Sequence, residues 1–448
     1  MMLFTAFSTR STWGGGFSSN YSFEHRKLLG WKHLDETPLS LDSSDIYCHV
    51  LDDAGFPNVV PFHGIVVVAP VANFNGDGFY PDVGASQSWD SPYRPWFNFI
   101  QWPKRYESWW GIYSLPAVNE SCPSYRDFIF AGENSVVRRW LRAGADGWRL
   151  DVADELPMPF LRELRRQVKD VSRDAAVLGE VWEDASHKVA YGQMRSYVLG
   201  DTLDSVMNYP LRDALIAFLM AQKDAAAVAK ELSSLAQNYP KPFLYALMNL
   251  MGSHDRPRIL NVLAGNDGSD IPRSQRADHR LSQEERMIGA LREQLMLRFM
   301  FSVPGMPCIY YGDEAGVEGC ADPFCRRTYP WGREDQDMLA RYKAMAAMRN
   351  GHPVLKTGEC AYIAPCSAVL GVIRKNENGK DAFGKKAENA CAVTLINRSA
   401  REVVVYLTSA DVSGAQTLVS DDGQIFTARS GAFSVKIKGL QGMTMFAM

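Results

Sequence analysis

The sequence predicts an α/β fold, a barrel of parallel βα units followed by a small antiparallel β domain. Three observations carry that prediction. Beyond residue 133, short apolar runs alternate with amphipathic helical stretches, the pattern of parallel βα units. Carboxylates and an arginine stand at the carboxyl ends of those runs, where such barrels keep their active sites. From about residue 353 the texture shifts to short β-rich runs separated by Gly, Asn and Asp turns.

In chain order, residues 1–72 are rich in Ser, Gly and aromatics and stay unassigned, except that 64–69 read as one buried strand. Residues 73–120 hold turn formers and a dense set of aromatics, a loop-like composition. Residues 121–352 carry the remainder of the barrel. Val136, Val137, Trp140 and Leu141 recur at helical spacing, and Gly144 is a stop signal. Residues 147–153 read as a strand, 157–168 as a helix, 176–182 as the next strand and 203–207 as a third. Residues 210–235 are helix-rich, 245–251 a fourth strand, 283–301 a long helix, 307–311 a fifth strand and 338–349 a last helix. Residues 353–448 form the antiparallel β-sandwich domain, with runs at 368–373, 392–396, 403–407 and 433–437.

Composition narrows the function. The 448 residues are 46% hydrophobic, enough for a core that needs neither disulfides nor metal. A formal net charge of -3, without a long run of one sign, excludes the basic stripe of a nucleic-acid binder and a polybasic membrane anchor. No apolar run approaches the roughly 20 residues of a membrane span. Eight cysteines are too sparse for a disulfide scaffold, and Cys320 and Cys325 lack the second pair of a zinc site. The opening MMLFTAF has neither a basic residue before it nor a small-residue cleavage site behind it, so a cytoplasmic protein is expected.

In a strand, residues two apart share a face. Arg149 and Asp151 therefore point the same way at the end of their strand, Glu180 sits near the end of the next, and His254 and Asp255 lie just past the fourth. In a barrel those ends share one rim. Three carboxylates beside a guanidinium are the equipment for glycoside hydrolysis, in which one carboxylate attacks and a carboxylic acid protonates the leaving oxygen. Arg149 is placed to hold Asp151 ionised. Glu180 lies between Leu178 and Trp182 on its strand face, where desolvation favours the neutral form that suits a general acid. Asp255 would hydrogen-bond sugar hydroxyls and stabilise the positively charged transition state. Singly, an Arg-x-Asp is an ordinary rim ion pair and a His-Asp an ordinary turn. Their order along successive strand ends is what points to chemistry.

The stretch GADGWRLDVADELP, residues 144–157, resembles the second hallmark motif of the α-amylase family. LGEVWEDA, residues 178–185, resembles the third, and NLMGSHDRPR, residues 249–258, the fourth. SVMNYP (205–210), PCIYYGDEAGVEG (307–319) and DPFCRRTYPW (322–331) are similar to the neopullulanase, cyclomaltodextrinase and maltogenic amylase branch, and the resemblance covers about 74–448. It implies a (β/α)8 TIM barrel with a protruding loop domain, residues 73–120, inserted in it and a C-terminal β domain. It implies Asp151 as nucleophile, Glu180 as general acid/base and Asp255 as transition-state stabiliser. Arg149, His254, Trp182, Asn208 and Tyr209 follow as substrate-binding residues. The implied activity is retaining hydrolysis of α-1,4 links, with α-1,6 links left open, in maltodextrin, cyclodextrin or pullulan. The two working carboxyls are then expected about 5–5.5 Å apart. A transglycosylase and a non-catalytic α-glucan-binding protein are the alternatives on the same fold.

Three features stand beside that resemblance. Trp89, Tyr93, Trp96, Phe97, Phe99, Trp102, Tyr106, Trp109 and Trp110 crowd one loop, which reads as packing for most of them, with one or two reaching sugar. Asn75, Asp77 and Asp82 offer oxygen ligands for calcium, but their spacing matches a turn better than a defined loop, so no cofactor and no metal is expected. The family's first motif has no match. Pro70 or a neighbour stands where its aspartate belongs, and Phe74 where its histidine belongs. That departure predicts a barrel incomplete at its amino-terminal side and a disrupted or misread 5′ portion of the gene.

Overall fold

The computed structural model describes residues 84–113 and 115–448, with the backbone of four earlier strands, Phe4–Phe7, Tyr47–Leu51, Pro57–Pro61 and Val66–Val68. Most of the 64–74 segment, and all of 75–82 with its calcium candidates, lie outside the described residues. The chain forms two compact units. One joins Met1–Gly15 to His63–Met207, the other Gly16–Phe62 to Asn208–Met448.

The first unit is built on a five-stranded sheet. Its strands are β1 (Phe4–Phe7), β2 (Val66–Val68), β3 (Gly147–Leu150), β4 (Ala176–Gly179) and β5 (Ser205–Val206), in the order β5-β4-β3-β1-β2. Strands β3, β4 and β5 run parallel, as the βα alternation predicts. On β3, Trp148 and Leu150 are fully buried on one face, leaving Arg149 to the other. Helix α1 (Val136–Arg142) precedes β3 and helix α2 (Met158–Val171) follows it. Helix α2 starts at Pro157 and Pro159, where a missing amide does no harm, and buries Phe160, Leu161, Leu164 and Val168 along one face. The amino-terminal strand departs from a parallel barrel. Strand β1 is antiparallel to both β3 and β2, and the sheet therefore changes direction beside the candidate site.

The second unit carries a parallel pair, β6 (Met248–Leu250) and β7 (Met306–Cys308). Around it lie helices α3 (Tyr209–Leu219), α4 (Ala225–Asn238), α5 (Lys241–Ala246), α6 (Ile259–Ala264), α7 (Gln283–Ser302) and α8 (Gln336–Gly351). The strand expected at 245–251 is shorter than its apolar run, because the residues after Pro240 begin as helix α5. A capping box of Ser282 and Glu285 starts α7, whose second half, from Leu295 to Ser302, is buried on all sides. The carbonyls at and past its end are taken by Arg349, which donates to Phe301, Val303 and Gly305 at 2.8, 3.0 and 2.6 Å.

The carboxyl-terminal region is a sandwich of a six-stranded antiparallel sheet and a two-stranded one. In strand β8 (Val369–Asn376), Val369 and Ile373 face the sandwich core, while Leu370 and Val372 pack on the helices. Both faces are covered, so the strand reads as a continuous apolar run. The seven described cysteines other than Cys48 are free thiols. Among the described residues no helix is long and apolar enough to cross a membrane.

Candidate active site

The parallel register pairs Leu150 with Gly179, so Asp151 and Glu180 leave neighbouring strands at the same level. The ladder runs on past the strand ends, with the Glu180 amide on the Leu150 carbonyl at 2.8 Å and the Ala153 amide on the Glu180 carbonyl at 3.1 Å. Arg149 shares the face of Asp151 and its guanidinium bridges the two acids. Nη1 bonds Asp151 Oδ1, and Nη2 lies 3.0 Å from Glu180 Oε2. All three side chains are largely buried, at 11%, 17% and 4% exposure for Arg149, Asp151 and Glu180.

Glu180 is surrounded by donors. Besides Arg149, the Val152 amide donates to Oε2 at 2.8 Å and Trp182 Nε1 to Oε1 at 3.0 Å. Three donors thus face a carboxyl for which the sequence indicates burial alone. Trp182 therefore acts on the acid directly. Val152 adopts φ 41° and ψ 61°, the left-handed region, which costs a β-branched residue about 1–3 kcal/mol. The turn that follows is tied down by Arg195, which donates to the Asp154 and Leu156 carbonyls at 2.6 and 3.0 Å, and by Tyr197, whose hydroxyl donates to Asp154 Oδ1 at 2.7 Å.

A cleft of about 520 Å³ opens beside Asp151, lined by Val152, Glu155, Trp109, Trp110 and Tyr191 among others. Trp109 and Trp110 stack with ring centroids 4.3 Å apart. Trp110 and Tyr191 are 68% and 69% exposed, and both donate to Glu155 Oε1. That bond to Glu155 pushes the Tyr191 hydroxyl up from its ordinary value, and burial does the same to the Glu120 carboxyl on the cleft wall. Most of the other loop aromatics pack together. Trp96 and Phe97 are buried, and Trp89 is held by Trp102 and by the Arg94 guanidinium 3.7 Å above its ring. The sequence reading did not single out Glu155 or Tyr191. The only signal was their place, four residues after Asp151 in one case and an exposed aromatic at a hairpin turn in the other.

In the second unit, His254 and Asp255 follow β6 on a turn. His254 Nε2 lies 3.2 Å from Asp255 Oδ2, and Arg326 Nη2 lies 3.5 Å from Oδ1. Ser253 Oγ accepts from the Asp255 amide at 3.2 Å and from the Tyr209 hydroxyl at 3.1 Å. Asn208 and Tyr209 are buried. Asn208 caps α3 through the Leu211 amide and donates to Asn249 Oδ1 at 2.8 Å, so the structure gives its side chain a structural task. Among the described residues, no cluster of His, Cys, Asp and Glu is arranged to hold a metal ion.

Fold and site define a class, an α/β domain with paired carboxylates at parallel strand ends. Residues 112–346, just over half of the chain, match the alpha-amylase catalytic domain. The chain belongs to the α-amylase family. It is 32% identical over 464 residues to the amylopullulanase of Thermoanaerobacterium saccharolyticum, covering 96% of this chain and 33% of that protein. It is 31% identical over 320 residues to the cyclomaltodextrinase of Geobacillus thermopakistaniensis, covering 69% of this chain and 47% of that protein. The chain thus spans a third of the first relative and about half of the second. The first alignment also reaches into residues 1–72, further than the motifs alone indicate. Among solved structures, the cyclic alpha-maltosyl-(1→6)-maltose hydrolase of Arthrobacter globiformis in complex with maltose is 26% identical, with a TM-score of 0.64 over 81% of this chain and 70% of that one. Membership implies a (β/α)8 barrel with a C-terminal β domain, and the sheets described above are consistent with it.

Proposed function

We propose that this chain is a retaining α-glucan hydrolase that cuts α-1,4 links in maltodextrins, cyclodextrins or pullulan, with α-1,6 links left open. The observation that carries the reading is the Arg149 guanidinium shared between Asp151 and Glu180. In the first step Asp151 attacks the anomeric carbon while Glu180 gives its proton to the departing oxygen. In the second, Glu180 takes a proton from water, which releases the sugar from Asp151. Asp255 is proposed to stabilise the charge that develops on the ring, with His254 on a sugar hydroxyl. Trp182 is proposed to contact substrate as well as Glu180. Asn208 and Tyr209, buried as they are, act through α3 and Ser253. The named activities of the relatives and the maltose complex of the Arthrobacter globiformis hydrolase support this substrate class.

Trp110 and Tyr191, exposed on the cleft beside Asp151, favour a second reading in which a sugar replaces water as acceptor. The barrel is further proposed to be incomplete at its amino-terminal side, a reading that the antiparallel setting of β1 supports. A cytoplasmic location is proposed on the free thiols.

The test is a reducing-sugar assay on cyclodextrin, maltodextrin and pullulan, with Asp151→Asn as control. Hydrolysis that disappears in the isosteric variant is expected. Folded protein without activity would favour a non-catalytic α-glucan-binding protein, and activity retained by Asp151→Asn would remove Asp151 from its role.

A further inference from the structure

Arg258 stands three residues after Asp255 and is fully buried. Its Nη1 meets Asp313 Oδ1 at 2.9 Å and also reaches the Tyr311 carbonyl. Its Nε donates to the Cys325 carbonyl at 2.7 Å, and its amide to the Gly319 carbonyl at 2.9 Å. The guanidinium carbon lies 4.3 and 4.7 Å from the ring centroids of Tyr310 and Tyr311. One cation thus ties the chain after Asp255 to both of the following loops. A buried ion pair is poor evidence of stability, because desolvation offsets its Coulombic gain, but it fixes geometry.

The other half of the pair touches the candidate turn directly. The Asp313 side chain is 1% exposed, and its Oδ2 makes no hydrogen bond. That oxygen faces Gly252, where a methyl group would meet it well inside van der Waals contact. Further along the turn the Cys325 thiol and Arg326 Nε both donate to the His254 carbonyl at 3.1 Å. The turn from Gly252 to Asp255 is therefore held at two points, and both lead back to Arg258.

We infer that Arg258 and Asp313 are a positioning pair that sets the turn carrying His254 and Asp255, and that position 252 is glycine because Asp313 fills the space of its side chain. This rests on the reading of Asp255 as the transition-state stabiliser. Neither member of the pair is assigned a contact with substrate. Their effect passes through the backbone of residues 252–255. A displaced Asp255 loses an interaction made in the transition state, so kcat falls while KM holds.

The experiment uses Gly252→Ala, which pushes on the contact from the turn, and Asp313→Asn, which weakens it from below. Arg258→Lys keeps the buried charge without the fork and stands in where Asp313→Asn fails to fold. Steady-state kinetics on maltodextrin are measured well below each melting temperature, and crystal structures of wild type and variants are compared. The expected result is a fall in kcat of about a hundredfold, the scale of an ångström-sized misplacement, with KM little changed and Asp255 displaced. Folded variants with wild-type kcat and an unmoved turn overturn the inference. If the wild type itself hydrolyses nothing, the functional reading fails on its own, and the turn in the crystal structures still decides the positioning pair.

Discussion

The backbone amide of Val152 donates to Glu180 Oε2 at 2.8 Å, from a residue held in the left-handed region. The residue after the candidate nucleophile thus supports the candidate acid. Oε2 is shared by this amide and Arg149, while Oε1 has Trp182 Nε1 at 3.0 Å. The two oxygens are therefore distinct, one fixed by the scaffold and one held by a half-buried indole.

Trp182→Phe tests that distinction, because it keeps an aromatic ring for substrate and removes the donor on Oε1. A hydrogen bond to a carboxylate contributes about 1.5–3 kcal/mol, so kcat/KM on maltodextrin should fall at least about tenfold. An unchanged kcat/KM would mean that the indole does not act through Glu180.

Trp110→Ala should act differently. The ring is exposed on the cleft, and its Nε1 donates to Glu155. Losing a stacking face should raise KM for maltodextrin by about tenfold, equivalent to about 1.4 kcal/mol, with kcat little changed. A loss confined to kcat would show that Trp110 works through Glu155 and the turn after Asp151.

Burial pushes the Glu293 carboxyl up to about 8, and the nearby Asp313 charge adds to the rise. The unfolded chain releases that proton near 4.5, so between about 4.5 and 8 the folded chain binds more protons. This group's contribution to stability is therefore fully present below about 4.5 and is lost as pH rises through 8. Glu293→Gln, neutral throughout, should flatten the fall. Urea midpoints measured across that window for both proteins check it, and parallel slopes would contradict it.

Much of this site was legible because its parts are close in sequence. Arg149 and Asp151 are two apart on one strand, and alternation alone puts them on one face. The helix at 157–168 was equally plain, since its buried residues recur at helical spacing, whereas the helix at 283–301 was legible from its length alone, its second half being buried on all sides. What sequence could not give is the register between strands. The second ion pair of Arg149 and the Val152 bond to Glu180 both depend on Leu150 lying opposite Gly179. The apolar run at 245–251 misled for a related reason, because short buried helix and strand look alike in composition. The motif that made Asn208 and Tyr209 candidates for substrate contact carries no record of burial, and both side chains turn inward.

The central claim is that Asp151 is the nucleophile and Glu180 the acid and base. Glu180→Gln treated with α-maltosyl fluoride isolates it, because fluoride departs without a proton while release of the sugar still needs a base. Mass spectrometry of the digested protein should then find one maltosyl group esterified to Asp151. No covalent adduct, or an adduct on another carboxylate, would contradict the assignment.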